Sequence, residues 1–145
     1  MSADPRSLPR IIIHSLDHAR AALAAAAAAG VPVTLASAQG AGGYAGPMWF
    51  KALIETAQSE HPGVGAASVL DCADEAGTTL AALRAGLKRV RFTGRDDVRR
   101  RLAAIAAQLG AEIESGEALP ALDLLDASDP ARACRLYLVG NKTGD

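Results

Sequence analysis

Short apolar runs and longer amphipathic runs alternate along most of this chain. "RIIIHS" (10–15) is brief and β-branched, the mark of a buried strand. Ser15 or Asp17 can cap a following helix, which runs through an alanine tract to Gly30, a natural C-terminal cap. "PVTLAS" (32–37) reads as a second strand, and Pro47 fits the first turn of the helix "MWFKALIETAQSE". "AASVLD" (66–71), "EAGTTLAALRAG" (75–86) and "KRVRFTG" (88–94) predict a third strand, a third helix and a fourth strand. "DDVRRRLAAIAAQLG" follows, with acids in its first turn and a stripe of Val98, Leu102, Ile105 and Leu109. "AEIES" (111–115) predicts a fifth strand. Beyond it the periods blur. "ALPALDLLD" fits a helical turn or a loop; "ACRLYLVG" (133–140) alternates like a last edge strand, with a helix begun by Ser128 and Pro130 as the alternative.

Strands alternating with helices of this length imply right-handed βαβ units and a mainly parallel sheet. Five or six strands are too few for an eight-stranded barrel. The expectation is therefore a single-domain α/β fold over 10–140. It is an open three-layer αβα sandwich, Rossmann-like or flavodoxin-like, with flexible ends at 1–9 and 141–145. At 145 residues the chain is long enough for one continuous core. Aromatics make up only 3%, so that core must pack through alanine and aliphatic residues.

The net charge of -1 excludes a global basic field for nucleic acid. Charge is nonetheless segregated. Lys88, Arg89, Arg91, Arg95, Arg99, Arg100 and Arg101 form a basic block, and Glu112, Glu114, Glu117, Asp123, Asp126 and Asp129 an acidic one. The two could complement each other between subunits of a homodimer or meet within one chain. Cys72 and Cys134 have neither metal-site spacing nor the density of a disulfide framework, which suits a reducing cytoplasm. His14, Asp17, His18 and Arg20 break up any signal-peptide core, and no run is apolar enough to span a membrane. A soluble cytoplasmic protein is expected.

In open α/β sheets ligands bind beyond the carboxyl ends of the strands. The pattern places His14 and Ser15 after strand one, Ser37 and Gln39 after strand two, Asp71, Cys72 and Asp74 after strand three, and Thr93, Gly94 and Arg95 after strand four. "GAGGYA" (40–45) formally satisfies G-x-G-x-x-A, but it follows the second strand and has no acid about 20 residues later. A general anion site built from the Gly42 and Gly43 amides is the stronger reading, against a plain connector whose glycines permit positive φ. Tyr44, Trp49 and Phe50 beside those glycines suggest a lid or contact surface. Asp71 and His14 are the acid–base candidates, each with a structural alternative as a cap or a hydrogen-bonded core residue. Acids flanking Cys72 disfavour its thiolate. The expected function is binding of a small anionic molecule at the strand edge through Gly42, Gly43, Tyr44, Thr93 and Arg95, with no metal, flavin or other cofactor. The alternative is a non-enzymatic module that docks a partner or itself.

"TTLAALRAGLKRVRF" (78–92) resembles a helix–strand unit of phosphate-binding (β/α)-barrel aldolases such as the keto-deoxy-phosphogluconate aldolases. The resemblance implies a Schiff-base lysine on a strand. Here Lys88 stands at the strand's start and Lys51 on a helix, so the likeness stays at the level of the segment and assigns no family.

Overall fold

The computed structural model describes residues 4–143; the rest of the expected flexible ends, 1–3 and 144–145, lies outside the described residues. Six parallel strands form a single sheet with helices on both sides, in the order β5-β4-β3-β2-β1-β6. The strands are β1 (Arg10–Ile12), β2 (Val33–Ala36), β3 (Ala66–Asp71), β4 (Arg89–Arg91), β5 (Glu112–Glu114) and β6 (Leu122–Asp123). The helices are α1 (Leu16–Ala29), α2 (Ala41–Tyr44), α3 (Pro47–Glu60), α4 (Ala76–Arg84), α5 (Asp96–Gln108) and α6 (Pro130–Thr143). The expected α/β architecture with a parallel sheet is the one observed. Its contacts divide into two compact units.

The first unit holds the chain up to Ala36, Leu53–Ser68 and the chain from Leu119. Ser15 is the N-cap of α1, its Oγ accepting the His18 N–H at 3.1 Å, and Gly30 closes the helix at φ 69°. Ala19, Ala22, Leu23, Ala25 and Ala26 form its buried face, where small side chains let backbones approach closely. Within the segment 1–9, Thr34 of β2 bonds the Pro5 and Pro9 carbonyls through its Oγ1 and N–H. The expected edge strand at 133–140 is instead α6. Asp129 caps it by accepting the Arg132 N–H at 3.1 Å, and Pro130 opens it. Cys134 and Leu138, four apart, are buried together. An apolar pattern that satisfies both periods is settled here by the cap. The sixth strand lies earlier, with Ile11 and Ile12 of β1 opposite Leu122 and Asp123.

The second unit holds Ser37–Ala52 and Val69–Ala118. The glycine segment contains a helical turn, α2, entered through Gly40 at φ 73°. In α5 the buried stripe is Leu102 and Ala106, while Leu109 serves as the C-cap and is 45% exposed. The register of β4 and β5 sets Arg89 opposite Glu112 and Arg91 opposite Glu114, the same period-two phase on neighbouring strands.

Candidate functional site

In the first unit, β1 has β2 on one side and β6 on the other. The chain leaves β1 toward β2, and β6 arrives from the far end of the sequence, so the strand order reverses at β1–β6. Such a switch point is where open parallel sheets hold their ligands. His14 lies two residues past Ile12, and Asp123 is the last residue of β6. Their side chains meet, with His14 Nε2 2.6 Å from Asp123 Oδ1. The same Oδ1 accepts the Leu125 N–H at 2.9 Å. His18, one turn into α1, accepts the His14 N–H on its Nδ1 at 3.0 Å, and the two rings meet edge to face.

These bonds fix tautomers. His18 Nδ1 carries a lone pair, so a neutral His18 holds its proton on Nε2. His14 directs Nε2–H to a carboxylate, which leaves the Nδ1 lone pair of the neutral ring without a partner among the described residues. Burial, and after it the neighbouring His14, push the His18 pKa down, against the opposing charges of Asp123 and Asp17. For Asp123, burial raises the pKa. The His14 and Leu125 hydrogen bonds and the two histidine charges outweigh that and bring it below the ordinary carboxyl value. A charged acceptor thus holds an imidazole in one tautomer, the arrangement of a proton acceptor with an orienting acid.

In the second unit, Asp71 ends β3. Its Oδ1 accepts the Gly40 N–H at 3.1 Å and the Ala73 N–H at 2.8 Å, and its own N–H donates to Ser37 Oγ at 2.9 Å. Arg91 Nε lies 3.5 Å from Asp71 Oδ2, and Arg91 Nη1 lies 3.6 Å from Glu114 Oε1. Arg91 Nη2 also donates to the Gly116 carbonyl. Arg89 pairs with Glu112 at 2.6 Å and Glu114 at 3.7 Å. Asp71 therefore anchors the glycine segment to the end of β3, beside a largely buried cluster of charges.

The predicted ligand contacts in this unit are placed as follows. Gly42 is buried, and a Cβ there would stand 2.6 Å from Cys72 Sγ. The Gly43 N–H donates to the Gly40 carbonyl, and the Glu75 carboxylate occupies the space beside its Cα. Tyr44 is 73% exposed. Thr93 donates its N–H to the Ala73 carbonyl and is exposed. Arg95 makes a two-point pair with Asp97. The Cys72 thiol is pushed up to about 11, by burial first and then by Asp71 and Glu75 against a Thr79 hydrogen bond, so it stays protonated. Asp123, Arg91 and Glu114 were absent from the sequence-based candidates. The matching phase of "RVR" and "EIE" was a usable signal for Arg91 and Glu114; nothing local marked Asp123.

No family model matches the chain, and no curated protein matches it. Solved structures do share its fold. A protein assigned as a fructose-1,6-biphosphate aldolase from Coccidioides immitis aligns at a TM-score of 0.63 and 18% identity, over 74% of this chain and 40% of that one. A protein assigned as a tagatose 6 phosphate kinase from Sinorhizobium meliloti aligns at 0.57 and 18% identity, over 94% of this chain and 45% of that one. This chain thus spans less than half of either neighbour. At such identity the likeness concerns the fold alone. Among the described residues, no helix is long and apolar enough to cross a membrane.

Proposed function

We propose that this protein binds a small anionic molecule at the carboxyl edge of its sheet, beside β1 and β6, and that His14 accepts a proton there. The observation that carries the reading is the 2.6 Å contact of His14 with Asp123 at the strand-order reversal. Asp123 fixes the tautomer and stabilises the imidazolium that forms when Nδ1 takes a proton. A negatively charged group on the ligand suits the N-terminal end of α1, whose cap Ser15 adjoins His14, and the Nε2–H of His18. Two fold neighbours are named for enzymes of phosphorylated sugars, which makes that class the first to test. The buried free thiols of Cys72 and Cys134 accord with a cytoplasmic setting.

The test is imidazole NMR during titration with inorganic phosphate, fructose 1,6-bisphosphate and unphosphorylated fructose. The phosphorylated compounds should move the His14 resonances, and Asp123→Asn should weaken the response. If none of the anions moves them, the reading is lost.

A second reading, self-association as a homodimer, is favoured by one observation. Tyr44, Met48 and Trp49 are 73%, 64% and 38% exposed within six residues of the second unit. Large side chains so close together supply the anchors an interface needs.

A further inference from the structure

One bond at the β1–α1 turn exists in a single protonation state. The part-buried His14 N–H donates to His18 Nδ1 at 3.0 Å, its acceptor among the described residues. Nδ1 accepts only while it holds a lone pair; a proton there sets two donors head to head. The rest of the turn is held without that ring nitrogen. The Ile13 N–H donates to the Ala36 carbonyl at 2.8 Å, which ties the end of β1 to β2. The His18 N–H donates to the Ser15 cap at 3.1 Å, whatever the charge on the imidazole. The His14 ring has its own tie, to Asp123.

Burial first, and then His14 with its ring centroid 5.7 Å away, oppose a proton on His18. Asp123 of β6 and Asp17 of α1 favour one, although the exposed Asp17 also lies 3.7 Å from Arg20. The N-terminal end of α1 repels a positive charge in its first turn.

We infer that the β1–α1 turn is an acid-operated switch. A proton on His18 Nδ1 breaks the bond from the His14 N–H, the imidazolium leaves its seat and the His14 backbone is released, while β1, β2 and α1 stay folded. Local opening of this kind needs only part of the free energy of global unfolding. As control of the proposed anion site the switch rests on that reading; as a movement it does not. Acid would withdraw His14 by displacing its backbone, not only by protonating its ring.

The test is backbone amide exchange, followed by NMR on the full chain without any ligand from about pH 8 to about pH 5. Protection of the His14 amide, corrected for the intrinsic pH dependence of exchange, should fall about tenfold or more, the worth of one hydrogen bond. Its midpoint should be that of the His18 imidazole titration. The Leu23 and Leu35 amides, within α1 and β2, should keep their protection. His18→Asn keeps an acceptor that gains no proton, so protection at His14 should persist across the range. Asp123→Asn removes a charge that favours the imidazolium, and should move the midpoint to lower pH. A His14 amide that is unprotected at the upper pH, or stays protected after His18 has titrated, overturns the inference. So does simultaneous loss at Leu23 and Leu35, which is unfolding. An unchanged acid transition in His18→Asn, or a midpoint unmoved by Asp123→Asn, overturns it as well. Failure of anion binding leaves this result standing, because no anion ligand enters the measurement.

Discussion

His14 was visible in the sequence because a polar residue directly after a β-branched strand falls on the ligand edge of a parallel sheet. Its partner was not: Asp123 sits in a stretch with no clear period, and only tertiary pairing of β6 with β1 brings it to His14. The pair is half-exposed on the Asp123 side, so its worth to stability is modest. Asp123→Asn should cost about 0.5–1 kcal/mol at neutral pH by urea unfolding. A loss near zero would mean the carboxylate charge does not matter to the fold. His18 supplies a pH dependence with a definite sign. Its folded pKa is below the ordinary 6.5, so the unfolded chain binds the proton more tightly. Stability is full above 6.5 and is lost as pH falls through the lowered folded value. The depressed Asp123 acts in the same direction in a separate window, its contribution present above 3.8 and lost as pH falls through the lowered folded value. His18→Asn retains an acceptor for the His14 N–H without a titrating ring. It should flatten the slope just below 6.5 and leave the acidic limb intact. An unchanged slope would assign the upper window to another group.

At the scale of elements, the helical turn α2 and the β4–β5 pair make opposite demands on their neighbours. Gly42→Ala drives a Cβ to 2.6 Å from a buried sulfur and 3.3 Å from the Asp71 carbonyl, and should cost about 1–3 kcal/mol. Gly43→Ala meets only the movable end of the exposed Glu75, and should cost less than about 0.5 kcal/mol. Thermal unfolding of the two variants separates a packing requirement from simple glycine flexibility; equal losses would remove the packing argument. In the charge cluster, Glu114 is 1% exposed on its side chain and serves both Arg89 and Arg91. Removing its charge strands part of two buried guanidinium charges, so Glu114→Gln should cost about 2–3 kcal/mol, whereas the exposed Glu112→Gln should cost under about 1. Reversal of that order by denaturant midpoint would contradict the cluster's geometry. The βα units up to β5 were legible because each apolar run has a clean period and a capping signal, as at Ser15, Gly30 and Pro47. The last quarter was harder for a physical reason. β6 is two residues long and offers no alternation to read, while Ala133 to Val139 satisfies strand and helix periods alike until Asp129 and Pro130 decide it.

For the whole molecule, the segregated charges that suggested a dimer are in large part spent within the chain. Arg89 and Arg91 meet Glu112 and Glu114, Arg95 meets Asp97, and Arg99 and Arg100 meet Asp96. Complementary patches on two copies would have to break or share these pairs, which removes most of the electrostatic motive for association. What remains is apolar: Tyr44, Met48 and Trp49 stand out of a chain that has only five aromatic residues, two Phe, two Tyr and one Trp. The two drives respond differently to salt. Exposed charge pairing is screened over a Debye length of about 8 Å at physiological ionic strength and about 3 Å at 1 M. Apolar contact is not weakened that way. Light scattering coupled to size exclusion should therefore give a mass near twice the 14.8 kDa of one chain at both low and high salt. Trp49→Ala should lower it toward one chain, because the anchor is removed. Trp49 also reports directly as the sole indole: partly exposed in one chain, its emission should shift to the blue and resist quenching as protein concentration rises. A mass of one chain at high concentration removes the dimer. A doubled mass that collapses in 1 M salt returns the interface to the charges that the single chain already pairs.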